Sequence, residues 1–401
     1  MARKDKRGYN LRKGESQRKD GRYSYCYMDP TGVRRTIYAT DLKELREKEK
    51  SINRELEEGI RVNPESKNMT VEQLFRIYIS TRTLKANSRC HYEYIWSCYI
   101  SNELGEMKVV QVKPSHIKLF YTKLEKANYS HNTLKLIHAL LLSSFELAVA
   151  DDIIRKNPAY KALNRQGTPQ KQKKALSISQ QQQLTSFAEN SLTYMLYFPM
   201  IQIFLGTGCR RGELLALTWS DVDMEQKEIH ITSQLLYRDF GEGNKFHISS
   251  PKTEAGNRTI PMNESVYEAF VMQKKLNFMQ GIRRTVVIDG KSDFIFITKN
   301  GNPLNPQRIN KILSNMVADY NEQEEWLAKK EQRKADLLPH ITAHILRHTA
   351  CTRMMETGIN MKVIQHIMGH SDIGITMNIY THIADQSRIK EELSKLDQIV
   401  L

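Results

Sequence analysis

No stretch of about 18 uninterrupted apolar residues occurs in the sequence, so no transmembrane helix is expected. The opening MARKDKRGYNLRKGESQRKDGRY places no apolar run behind its basic residues, which argues against a secretory signal. Cysteine is scarce. The five (Cys26, Cys90, Cys98, Cys209, Cys351) are odd in number and scattered, with no CxxC. A disulfide framework or zinc ribbon is therefore not expected, and a reducing cytoplasm is the natural compartment. No long internal repeat is found, and the glutamine run 180–183 falls inside an amphipathic helix. Acid is short relative to base: 45 Asp and Glu face 60 Lys and Arg, leaving a net charge of +15 over 401 residues. Such an excess favours a polyanionic partner such as nucleic acid. The length suits two or three domains.

The charge is concentrated. Residues 1–40 hold eleven basic and four acidic side chains, and residues 164–175 (NRQGTPQKQKKA) hold four basic and none acidic. These 52 residues carry 11 of the 15 net charges. A bland reading makes both segments solvated tails. The first is more than a tail, however. Residues 22–27 (RYSYCY) and 34–38 (RRTIY) read as strands around a turn at Asp29-Pro30-Thr31-Gly32, and Asp20-Gly21 marks another turn. Thr40-Asp41 then caps a helix to about residue 60, with Leu42, Leu45, Ile52, Leu56 and Ile60 on one stripe. A small sheet with one packed helix suits the DNA major groove. Its candidate contacts are Arg12, Lys13, Arg18, Lys19, Arg22, Arg34 and Arg35, with Lys171, Lys173 and Lys174 in the second basic segment.

A linker at Asn63–Asn68 leads to a helical region, 69–163. Thr70 with Gln73 three residues on forms a capping-box pattern. Further helices are expected near 87–101, 114–127 and 130–150, the last apolar on most sides and so the centre of a bundle. Asn157-Pro158 ends it. Residues 176–401 read as mixed, with strands at 228–233, 246–249, 258–260 and 293–297 and helices from about 306. The fold class is multidomain α+β: a small N-terminal sheet plus helix, an all-α bundle, and a mainly helical α+β domain.

Polar motifs in this last region carry the chemistry. In Thr207-Gly208-Cys209-Arg210-Arg211-Gly212-Glu213-Leu214 the glycine interrupts an apolar run and sets Arg210 at a helix start, where its fork of donors suits phosphate. Taken alone, it reads as an ion pair with Glu213. Lys252 stands near an expected hairpin tip between two strands; such a lysine is usually solvated. In His344-Ile345-Leu346-Arg347-His348, His344 and Arg347 share a helix face. His344 and His348 allow a metal-pair reading, weakened by Arg347 and by the want of a local third ligand. Met368-Gly369-His370 is a helix stop, where His370 is a plain turn residue on the bland view. Tyr380, amid Ile375, Met377 and Ile379, reads alone as a core tyrosine with a wet hydroxyl.

Together, cations and histidines with one tyrosine and no carboxylate pair fit chemistry on a phosphodiester. Its transition state spreads negative charge over oxygens that cations must surround. Tyrosine can attack phosphorus and hold the strand covalently.

The order TGxRxxEL, a hairpin Lys, HxLRHT, xGHS and a Tyr ten residues past that His resembles the tyrosine recombinase (phage-type integrase) family. Met368 stands where that family usually has Leu, a volume-conserving exchange. The opening Lys13–Tyr23 also resembles the arm-binding domain of integrases from Tn916-type conjugative transposons. The resemblance implies an arm-site DNA-binding domain (1–62), a core-binding helical domain (69–163), a basic linker (164–175), a catalytic domain (176–385) and a tail helix (386–401). It implies Arg210 and Arg347 on the non-bridging oxygens and Lys252 protonating the 5′-hydroxyl. His344 and His370 would hydrogen-bond the phosphate, and Tyr380 would be the nucleophile. Integration and excision of a mobile element through a 3′-phosphotyrosyl link and a Holliday junction would follow, with no metal, ATP or other cofactor. Implied partners are core and arm sites on double-stranded DNA, a homotetramer joined through the tail, an excisionase and a DNA-bending protein, in bacterial cytoplasm at the nucleoid and without a membrane. Two rivals remain: a non-catalytic DNA-binding regulator on the same fold, and a topoisomerase IB-like relaxing enzyme.

Overall fold

The computed structural model describes residues 3–28, 34–57, 68–163, 174–251, 253–281 and 286–380; the side chains of residues 54–57, 375 and 378–380 lie outside that description. The expected turn at 29–32, Lys171 and Lys173 of the basic linker, Lys252 and the tail helix 386–401 likewise lie outside the described residues. The chain divides into two compact units, Met1–Lys171 and Gln172–Leu401.

The first unit contains two separate hydrophobic cores. Near the N-terminus, β1 (Glu15–Gln17), β2 (Tyr23–Met28) and β3 (Arg34–Ala39) form an antiparallel sheet in that order. The sequence reading missed β1, which is only three residues long. α1 (Leu42–Glu57) starts as expected, with the Glu44 amide donating to Asp41 Oδ1 at 2.8 Å. Leu45, fully buried, packs the helix onto Tyr23, Tyr25 and Ala39. Strand alternation divides the basic residues. Arg34 pairs with Met28 on the open face, beside Thr36 and Tyr38, which are also exposed. Arg35 alternates to the face carrying Ile37 and Ala39, the one that α1 covers.

The helical region follows with α2 (Val71–Ser80), α3 (Ala86–Ile95), α4 (Pro114–Lys126) and α5 (His131–Ala150). The capping box at Thr70 forms in full: its hydroxyl accepts from the Gln73 amide and the Gln73 side chain returns to Thr70. α3 runs on as a π-helical stretch, Trp96–Gly105, beyond the expected end. There Trp96 stacks on Phe75 with centroids 3.9 Å apart, and its indole N–H donates to Glu72. α5 is long and apolar enough, by composition, to cross a bilayer. Leu134, Ile137, Leu140, Leu141, Phe145 and Ala148 are buried in the bundle core, which accounts for that composition. The bundle continues past Asn157-Pro158: Ala159 and Ala162 are buried in the same core, and Asn157 Nδ2 donates to Leu142 O at 2.9 Å.

In the second unit the helices are α6 (Ile178–Asn190), α7 (Phe198–Thr207), α8 (Arg211–Leu215), α9 (Glu264–Met279), α10 (Pro306–Lys330), α11 (Ala343–Glu356), α12 (Met361–Met368) and α13 (Ile373–Tyr380). The strands are β4 (Val222–Asp223), β5 (Glu228–Ile231), β6 (Gln234–Asp239), β7 (Asn244–Ser249) and β8 (Arg258–Pro261). They pair as one sheet, β4-β5-β8, and a separate hairpin, β6-β7. Three strand expectations change. The run 228–233 stops at Ile231, and a new strand begins at Gln234. Residues 293–297 make isolated bridges to Thr218 and Pro303 rather than a strand. The two strands flanking 250–257 do not pair with each other, since β7 joins β6 and β8 joins β5. The segment between β7 and β8 therefore joins two sheets and is not a hairpin. The true tip lies at 240–243, where Asp239 Oδ1 accepts from the amides of Gly241 and Gly243.

Candidate active site

α7 is apolar, with Ile203 and Phe204 fully buried, and it needs a stop. Gly208 supplies one by adopting φ +62°, a left-handed cap that glycine takes without a Cβ penalty. A Cβ at Gly208 would meet Met368 Sδ at 2.6 Å, so glycine is needed for space as well. Two residues later Arg210 is the N-cap of α8. Arginine is a poor N-cap by propensity. Glu213 compensates by reaching back, Oε2 accepting from the Arg210 amide at 2.9 Å and Oε1 from Arg210 Nη1 at 2.6 Å. A local rule broken in this way usually marks a working site.

α12 ends in the same manner. Gly369 has φ +61°, leaving the last carbonyls of the helix turned outward. Three consecutive carbonyls there each take one arginine. Ile367 O accepts from Arg258 Nε at 2.7 Å, Met368 O from Arg347 Nη2 at 2.6 Å, and Gly369 O from Arg210 Nη2 at 2.9 Å. The negative end of a helix dipole is a natural seat for cations. Arg347 is also held by Gly208 O at 2.6 Å, so it bridges the C-terminal ends of α7 and α12. Arg258 Nη2 meets Glu213 Oε2 at 2.9 Å and its Nη1 donates to Gly256 O at 3.0 Å.

The cluster is charge-unbalanced. Three guanidinium groups surround one buried carboxylate. Burial pushes the Glu213 carboxyl up, but Arg258 and Arg210 outweigh it and hold it below the ordinary value. Burial lowers Arg347 to about 10, with repulsion from Arg210 adding to the shift, so it stays cationic near neutrality. Burial lowers His370 to about 4, helped by Arg347, Arg210 and Arg258, so it is neutral there. Its ring Nδ1 lies 2.9 Å from Thr376 Oγ1, and Gln365 holds its backbone at both ends. An uncompensated cationic pocket with neutral imidazole beside it is suited to an anionic ester.

Of the expected site residues, Arg210, Arg347 and His370 come together. His344 stands on the exposed side of the first turn of α11, three residues before Arg347. Tyr380 closes α13, four residues after Thr376 on the same helix. Among the described residues no three His, Cys, Asp or Glu side chains gather as a metal set. Arg258 and Thr376 were missed by the sequence reading. The expected DNA contacts also divide. Arg18 lies over the Tyr38 ring at 5.0 Å, on the open face of the first sheet. Arg34 Nε donates to Cys26 Sγ at 2.8 Å. Arg22 pairs with Asp20 at 2.8 Å, and Lys13, Lys19 and Lys174 are exposed. Arg12 instead lies 3.8 Å from Glu49 of α1, and Arg35 faces the helix, so both are turned from the open face.

The model of the phage integrase family matches residues 174–387. That of the DNA binding domain of Tn916 integrase matches residues 1–56, and that of the phage integrase N-terminal SAM-like domain residues 70–125. The transposase from transposon Tn916 of Enterococcus faecalis is 34% identical over 97% of this chain and 95% of its own. The ICEBs1 integrase of Bacillus subtilis is 25% identical over 92% and 93%. Among solved structures, the Tn1549 transposon integrase in complex with transposon right end DNA is 33% identical, with a TM-score of 0.70 over 82% of this chain and all of that one. The lambda integrase tetramer bound to a Holliday junction, at 18% identity, TM-score 0.53 and coverage of 91% of this chain and 94% of that one, shares the fold.

Proposed function

The chain belongs to the phage integrase family, as a tyrosine recombinase of the Tn916 transposon type, and we propose from that premise how it integrates and excises a mobile element. Tyr380 Oη attacks the scissile phosphorus, the P–O5′ bond breaks, and a 3′-phosphotyrosyl ester retains the bond energy. Arg210 and Arg347 bind the non-bridging oxygens, where fork-shaped donors match the geometry. Lys252 gives its proton to the departing 5′-oxygen. His344 takes the tyrosine proton, and His370 donates a hydrogen bond to the phosphate. Reversal with a second strand's 5′-hydroxyl rejoins the DNA and yields a Holliday junction. No metal ion or ATP enters these steps.

The observation that carries this reading is the seating of Arg210 and Arg347 against adjacent carbonyls of one helix end, Gly369 O and Met368 O. Two guanidinium groups fixed side by side in a cationic pocket, Arg347 buried and Arg210 reaching the surface, pre-organise the charge a phosphoryl transition state needs. Arg18, Lys19, Arg22 and Arg34, on or beside the open face of the first sheet, would contact arm sites, with Lys13 at its edge. Arg12 and Arg35 would act through the fold of that sheet. Lys171, Lys173 and Lys174 would track phosphates between the core-binding and catalytic domains. The working form would be a homotetramer on DNA joined through residues 386–401, served by an excisionase and a DNA-bending protein in the bacterial cytoplasm.

A nicked suicide substrate tests the proposal. The full chain should form a covalent DNA adduct in EDTA, and Tyr380→Phe should bind core-site DNA without forming one. An adduct of undiminished yield from Tyr380→Phe would move the nucleophile elsewhere, and clear EDTA sensitivity would return a metal to the mechanism.

A further inference from the structure

We propose that Thr376 is a positioning residue that fixes the tautomer of His370 and ties it to the helix carrying the nucleophile. The inference rests on the recombinase reading for its activity and on geometry for its mechanism. Thr376 is fully buried in α13, where a β-branched residue gains nothing in helix propensity. A buried hydroxyl needs a partner, and the one it finds is His370 Nδ1 at 2.9 Å. His370 is itself only 6% exposed, and its backbone is pinned by Gln365 through Nε2 to His370 O at 3.0 Å and His370 N to Gln365 O at 3.1 Å. The ring can therefore adjust little.

Charge around the ring decides which way the proton points. Arg347, Arg210 and Arg258 act on His370 from α11, the α8 cap and β8, against the single carboxylate of Glu213. A second proton on the imidazole is disfavoured there, so one ring nitrogen donates and the other accepts. Phosphate oxygens only accept. For Nε2 to donate to them, Nδ1 must be the acceptor, and Thr376 Oγ1–H must be its donor. Thr376 sits one helical turn before Tyr380, so the same hydroxyl registers α13 against the residue that follows α12. A displaced α13 would lose both the tautomer and the attack geometry.

The test uses the full chain labelled with 15N-histidine and read by long-range 1H–15N correlation near neutral pH, with His370 assigned by difference against His370→Gln. The wild type should show a protonated Nε2 and a pyridine-type Nδ1. Thr376→Val, which keeps shape and removes the hydroxyl, should lose that preference, and Thr376→Ser should keep it. In the suicide-substrate assay at saturating DNA, Thr376→Val should slow adduct formation about tenfold, and Thr376→Ser should stay within about twofold. Core-site affinity should not change in either. A wild-type ring protonated on Nδ1, a tautomer unaltered in Thr376→Val, or wild-type cleavage by that variant would each overturn the proposal. A wild type that forms no adduct at all would count against the recombinase reading, and the tautomer measurement would still decide the role of Thr376.

Discussion

Replacing Arg258 by Met should unseat the cluster without altering Arg210 or Arg347 themselves. The side chain of Arg258 is fully buried and that of Glu213 is 3% exposed. Breaking such a pair typically costs 3–5 kcal/mol, because a charge is left buried. Here the carboxylate keeps Arg210, through Nη1 at 2.6 Å and the amide at 2.9 Å, which places the loss near the lower end. Ile367 O and Gly256 O also lose their donor, at about 1 kcal/mol each. We therefore expect a destabilisation of about 5 kcal/mol, confined to the second unit. Hydrogen exchange measured by mass spectrometry on the full chain reads this locally: amides of α12 and β8 should open more readily, while those of the helical bundle α2–α5 stay unchanged. Adding Glu213→Gln should recover about 1 kcal/mol or more, since neighbours in one network are not additive. Unchanged protection in α12 and β8 would refute the view that Arg258 holds the end of α12 in place.

Other perturbations have defined outcomes. Gly208→Ala forces an alanine into φ +62° and drives a Cβ against Met368 Sδ, so it should cost about 1–2 kcal/mol from conformation alone and lower the melting temperature. Ile137→Ala opens the fully buried centre of the helical bundle and should cost about 2–5 kcal/mol, read as a lower melting temperature of the first unit. On pH, His370 is lowered from 6.5 to about 4 in the fold, so its neutral form stabilises fully above 6.5 and that contribution is lost as pH falls toward 4. Glu213 is held below 4.5, so its contribution persists to lower pH and disappears as pH falls through its folded value. Thermal scans from pH 7 to pH 4 should therefore show falling stability, and His370→Gln should flatten the upper part of that curve.

Local signals were legible before any coordinates. The capping box at Thr70 and the glycine stops at Gly208 and Gly369 each follow from a few adjacent residues. The stripe that buries Leu45 is likewise local. What escaped reading depends on pairing across long separations. Arg258 reads as a basic residue opening a strand; its value arises only when β8 meets α12, 109 residues away. The hairpin expected around Lys252 failed for the same reason, because adjacent strands chose partners in different sheets. Arg34 and Arg35 were separable in principle, since neighbours on a strand face opposite ways, but which face α1 covers needed the packing of Leu45.

The central claim is covalent catalysis by one tyrosine. A suicide-substrate adduct formed by the wild-type chain, digested with trypsin and nuclease and sequenced by mass spectrometry, addresses it directly. The nucleotide should be found on the tryptic peptide 363–388, attached to Tyr380. A nucleotide on any other residue, or no modified peptide from a reaction that has cut the DNA, would contradict the account.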